Sequence, residues 1–133
     1  MKSHWLIQAV VLAAFLFNTA SASADSQVEK AFETLKAQRD RGGGYYLDML
    51  EGAAIALDWA NSQLTSKGQS ALYCTPNELT LNARNYANIA LNEFKRHWER
   101  YEQPLLEAFP KDVVVDALAY GLARTFPCPS PSE

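Results

Sequence analysis

An all-α domain, a compact bundle of about four helices, follows from three features of the sequence. After residue 25, apolar residues recur at spacings of three and four through most of the chain. No segment alternates with period two over a useful length; "KDVVVDAL" has a β-branched run, but the spacing after it is helical. Glycine, proline and cap-forming residues punctuate the chain between the periodic segments.

The first segment is not part of that bundle. "MKSHWLIQAVVLAAFLFNTASASAD" has one early Lys, an apolar run from Trp5 to Phe17, and small residues ending in Ala22-Ser23-Ala24. That is the layout of a secretory signal peptide, and its apolar run falls short of the ~20 residues a transmembrane helix needs. Residues 1–24 are read as a cleaved leader and residues 25–133 as one helical domain, with cleavage after Ala22 as the competing site. Such a length suits a single core.

Helix one begins at Ser26, where Ser26 and Glu29 form an S-x-x-E capping box. Val28, Ala31, Phe32 and Leu35 then make its apolar face, and the glycines of "RDRGGGYY" end it as a flexible break. Helix two is predicted over about Tyr45–Leu64, with Tyr46, Leu50, Ala53, Leu57, Ala60 and Leu64 on one face. Gly52 inside it costs ~1 kcal/mol relative to Ala, which points to a close helix–helix approach there. "TSKGQSALY" is a loop. Helix three is predicted from Thr75, with Thr75 as N-cap, Pro76 at N1 and Glu78 at N3. Its stripe is Leu79, Ala83, Tyr86, Ala90, Phe94, Trp98 and Tyr101, and Pro104 ends it near Glu102. The connector "PLLEAF" leads to helix four, from Pro110, with Val115, Leu118, Ala119, Leu122 and Phe126 on one side and Pro127 beyond its end.

The chain has two cysteines, Cys74 and Cys128. In an exported protein a disulfide can persist, and Cys74–Cys128 is the one intramolecular pairing; two free thiols or an intermolecular bridge are the alternatives. The bond would tie the entry of helix three to the exit of helix four, as antiparallel neighbours would allow. Closing a loop of about 55 residues is assigned roughly 4 kcal/mol in the chain-entropy treatment.

Charge and composition exclude several classes. Losing Lys2 takes 12 basic residues to 11 against 15 acidic, a net of −4, which argues against a nucleic-acid partner. With one histidine after the leader, His97, and no close cysteine pair, zinc lacks its usual ligands, and no cofactor motif is present. "RGGGYY" follows a helix and lacks the G-K-[ST] ending of a phosphate loop. His97 has Glu93 four residues earlier as an orienting partner, yet an ordinary i, i+4 surface pair explains both. The Asp48/Glu51 and Asp112/Asp116 pairs read as solvated helix faces. The aromatics Trp59, Trp98, Tyr101 and Tyr120 read mainly as core, with some as interface anchors. A binding protein is therefore expected, not an enzyme.

"YYLDMLEGAAIAL", "YCTPNELTL" and "VVDALAYGLARTFPC" together resemble the Rap/Tai family of type VI secretion amidase-immunity proteins. The resemblance rests on Tyr46, Gly52, Tyr73, Cys74, Pro76, Ala117, Phe126, Pro127 and Cys128, across Tyr45–Cys128. It implies a periplasmic helical protein, often a homodimer, with its two cysteines bonded. It also implies a function: binding a cognate peptidoglycan amidase effector and blocking its cleft. The link "FKRHWERYEQPLLEAFPK" is longer than that family's usual connection. The alternative is a periplasmic stress chaperone or another small helical binding protein. Two segments are expected to meet the partner: a protruding loop, Asn61–Leu72, offering Ser66, Lys67 and Gln69, and a flanking contact through Trp98 and Tyr101. No membrane insertion of the mature chain is expected.

Overall fold

Helix α1, Gln27–Arg41, starts where the sequence places it: Ser26 is the N-cap, and its Oγ accepts from the Glu29 N–H at 3.2 Å. The computed structural model describes residues 26–130, so the leader and both cleavage sites lie outside the described residues. The carboxylate that completes the cap comes from far along the chain. Glu107 accepts from the Ser26 hydroxyl and from the N–H groups of Gln27 and Val28. A carboxylate there satisfies orphan donors and complements the helix dipole. The Ser26 hydroxyl is the chief cause that holds the Glu107 carboxyl below the usual carboxylate range. Val28, Ala31, Phe32 and Leu35 are buried, as their spacing predicts.

The three glycines are a shaped turn, not a loose break. Gly42 is left-handed, with φ 83°, and donates its N–H to the Gln38 carbonyl at 2.8 Å. At Gly44, with φ +138°, a Cβ would lie 2.5 Å from the Gln38 side chain. Gln38 uses that space: its Oε1 accepts from the Tyr46 N–H at 2.7 Å and ties the two helices together. Helix α2 then runs Tyr45–Ser66, burying Leu47, Leu50 and Ala54.

Helix α3 spans Ala83–Arg96, so the start expected at Thr75 is wrong. The working cap is Asn82, which accepts from the Asn85 N–H while the Asn85 side chain accepts from the Asn82 N–H. The stretch around Thr75 is held in other ways. The Cys74 N–H donates to the Phe126 carbonyl at 2.8 Å, and the Asn61 amide donates to the Tyr73 carbonyl at 2.9 Å. Leu79, expected in the core stripe, is 43% exposed. Cys74 and Cys128 are bonded, across a sequence separation of 54, and neither cysteine is free. Such bonds persist in compartments more oxidising than the cytosol.

The long third helix is also shorter at its far end. It breaks at His97 into a single turn, α4, Trp98–Tyr101. A straight helix would lift residue i+8 by ~12 Å. The break instead lets the Tyr101 hydroxyl donate to Glu93 Oε1 at 3.5 Å, and Tyr101 joins Phe32 and Phe94, whose rings stack at 3.8 Å. A 3-10 turn at Leu106–Ala108 carries Glu107 to α1. Helix α5, Pro110–Thr125, has Pro110 in its first turn and buries Val113, Val114, Ala117, Leu118, Gly121 and Leu122. Val115 and Ala119 of the expected stripe are only partly buried.

Helix α3 is the centre of the bundle, touching α1, α2 and α5 and meeting α5 most extensively. Gly121 makes that approach. A Cβ there would lie 2.6 Å from Ile89 Cγ2 and 3.0 Å from the Ile89 carbonyl oxygen. Gly52, expected in this role, is exposed, and a Cβ on it would meet nothing within 4 Å. Among the described residues there is no strand, and no helix is long and apolar enough to cross a membrane.

Candidate functional site

Two surfaces carry features that core packing does not explain. The first is the outer face of α2. At 100° per residue, Asp48, Gly52, Ile55, Trp59, Ser62 and Ser66 fall within about 40° of one line. All of them are exposed, Ile55 by 68% and Trp59 by 67%. The helix carries Asp48, Glu51 and Asp58 and no Lys or Arg anywhere in Tyr45–Ser66. Its outer face carries two large apolar side chains, Ile55 and Trp59, within a line otherwise made of Gly, Ser and Asp.

The segment after α2 is strapped to that helix. Leu72 donates its N–H to Asn61 Oδ1 at 2.7 Å, and the Tyr73 hydroxyl donates to Asp58 Oδ1 at 2.5 Å. Burial first, and then Asp58, push the Tyr73 phenol well above its usual range.

The predicted contact residues distribute unevenly. Ser66 is the last residue of α2, Lys67 is its C-cap, and both are exposed with Gln69. The segment expected to be a loop is helical in its first half. Residues 61–66 are helical, and the Gln69 N–H folds back onto the Leu64 carbonyl at 2.9 Å. Ser66 therefore ends the α2 stripe, with Lys67 and Gln69 beyond it. Trp98 is 46% exposed on the α4 turn. Tyr101 is 2% exposed and belongs to the core, so it is not a surface anchor. The structure does not join Trp98 and the Ser66 end into one patch through Tyr101, because that ring faces Phe32 and Phe94.

The second surface lies where α3 meets α5. Glu93 is 3% exposed, yet it carries a carboxylate. Its Oε2 pairs with Arg124 Nε at 3.1 Å and its Oε1 accepts from Tyr101. Burial first, and then the Glu93 charge, raise the Tyr101 phenol well above its usual range. His97 Nε2 stands 3.9 Å from Glu93 Oε2, beyond hydrogen-bond reach. A carboxylate committed to a guanidinium and a phenol is a positioning group, so the geometry does not make His97 and Glu93 a base with its orienting partner. An open cleft of about 290 Å³ lies beside them, with Asn88, Asn92, Arg96, His97, Arg124 and Thr125 on its walls. Burial first, and then Asp112, raise the Asp116 carboxyl above its ordinary value, but Asp112 and Asp116 are both exposed.

Ile55 was legible in principle, since Gly52, Ile55, Ala56 and Trp59 form a second apolar set beside the inner stripe. Arg124 carried no local signal, because its partner lies on another helix.

Comparison with known protein families, characterised proteins and solved structures returns no match.

Proposed function

We propose that this chain is a periplasmic immunity-type protein that binds and inhibits a peptidoglycan amidase effector of type VI secretion, through the outer face of α2. The observation that carries a binding role is the pair Ile55 and Trp59, one turn apart, each about two-thirds exposed on a regular helix. Burying such side chains is worth ~1.5–3 kcal/mol each, and an exposed apolar pair on one helix face supports a docking surface there. Trp is also among the residues enriched at interface anchors. The identity of the partner rests on the resemblance carried by Tyr73, Cys74, Pro76, Pro127 and Cys128, and on the leader-like N-terminus. The homodimer implied by the same resemblance would use a surface of this kind as well.

The test is Ile55→Ser with Trp59→Ala, measured against a cognate peptidoglycan amidase effector. We expect loss of inhibition and a binding loss above ~2 kcal/mol. The thermal midpoint should move little, since exposed substitutions stay within ~0.5 kcal/mol. Unchanged affinity in the double variant would place the interface elsewhere. Retention of many unfolded proteins instead of one folded hydrolase would favour the chaperone alternative. Sedimentation of wild type and variant separates a second copy of this chain from an effector as the occupant.

A further inference from the structure

The geometry points to a carboxylate-binding site in the cleft between α3 and α5, built from Arg96, Arg124, Asn88 and Asn92, and independent of the α2 face. Two guanidinium groups, Arg96 and Arg124, line the cleft with one carboxylate, Glu93, so the arginines exceed the carboxylates by one. That concentration stands out on a chain whose net charge is −3. Arg124 is held in place. Its Nε is on the buried Glu93 at 3.1 Å, while its side chain is 46% exposed and its two terminal nitrogens have no ion-pair partner among the described residues. Arg96 has none there either.

The amide groups are set as donors by the same logic. Arg39 Nη1 donates to Asn88 Oδ1 at 3.0 Å, which occupies the oxygen and leaves the Asn88 NH2 to face an acceptor. Gly121 and Ile89 meet at the floor of the cleft, where a Cβ on Gly121 would collide with Ile89. A planar guanidinium with free terminal N–H groups fits a planar carboxylate. An excess of one arginine matches a monoanion better than a dianion such as phosphate. A volume of about 290 Å³ sits at the lower limit of small-molecule sites, ~300 Å³, and suits one or two acidic side chains or a small free acid.

Arginine side-chain and asparagine amide NMR resonances of the 15N-labelled mature protein, at low salt, provide the test. The probes are acetate, inorganic phosphate and an N-acetylated, C-amidated Gly-Asp-Gly tripeptide, which carries a single carboxylate. We expect saturable shifts of the Arg124 Nε–Hε and of the Asn88 and Asn92 NH2 signals. Arg96→Gln should weaken binding at least fivefold, with an unchanged thermal midpoint. Lys30→Gln, which removes an exposed cation of α1 outside the cleft, should change it less than twofold. Saturation by acetate as tight as by the peptide assigns the site to free small acids; saturation by the peptide alone assigns it to acidic segments of a protein. Tighter binding of phosphate, shifts that never saturate, no shifts at all, or equal losses in the two variants would each overturn the proposal.

Discussion

On the outer face of α2, Ile55 and Trp59 stand 68% and 67% exposed; at the junction of α3 with α5, the carboxylate of Glu93 is 3% exposed. Each region inverts the ordinary partition of apolar inside and charged outside. The junction resolves its inversion internally. A buried charge is tolerable when it is paired and hydrogen-bonded, and Glu93 has Arg124 and Tyr101. The α2 face has no such resolution among the described residues. The same contrast holds for glycine. Gly121 is where two helices touch, whereas Gly52 faces solvent.

Cutting the fastening of the junction should have the largest effect. Cys74–Cys128 clamps the segment ahead of α3 to the end of α5, beside the Cys74-to-Phe126 backbone bond. Replacing both cysteines with serine should cost ~2–4 kcal/mol in urea denaturation. Amide exchange should rise at Cys74 and in the last turn of α5 before it rises in the middle of α2. Uniform loosening of α2 and α5 would show that the clamp does not act on the junction in particular.

Gly121→Ala comes next. Alanine favours a helix over glycine by ~1 kcal/mol, but its methyl would sit 2.6 Å from Ile89 Cγ2 and 3.0 Å from the Ile89 carbonyl. Overpacking of a close contact costs ~1–3 kcal/mol. A backbone oxygen cannot rotate away as a side-chain tip can, so the clash should win and the urea midpoint should fall. A rise in midpoint would mean that α5 can shift without loss and that the junction is looser than its distances imply.

What the sequence revealed and what it hid divide along the same line between local and distant causes. Ser26 as a cap, the Val28–Leu35 face and the extent of α2 are consequences of neighbours within one or two turns, and each is where its spacing puts it. Thr75-Pro76-Asn77-Glu78 is an equally good local start signal, yet it makes only a turn, with the Leu79 N–H on the Pro76 carbonyl at 3.0 Å. Asn82 and Asn85 then start the helix with a weaker-looking pair. The cap supplied by Glu107 and the burial of Glu93 depend on residues on other elements, and nothing within a turn of either announces them. The α2 stripe falls between these cases: its residues are regularly spaced, but spacing alone does not distinguish an inner apolar face from an outer one.

Gly52→Ala should have the smallest effect and the opposite sign. The chemical change is the one made at Gly121, on a helix of comparable regularity. Here a Cβ meets nothing within 4 Å, so only the backbone term remains. Removing glycine from an exposed helix interior is worth ~0.5–1 kcal/mol in stability, because the unfolded chain loses freedom that the helix never used. The urea midpoint should therefore rise slightly. A fall would mean that the methyl collides with something, and none of the described residues is near it. Gly52 lies on the line of Ile55 and Trp59, so the collision would be with an occupant of that stripe. If the loss grows with protein concentration and sedimentation shows a dimer, the occupant is a second copy. If it does not, and the midpoint still falls, the outward orientation of Gly52 is wrong, and with it the contrast between α2 and the junction.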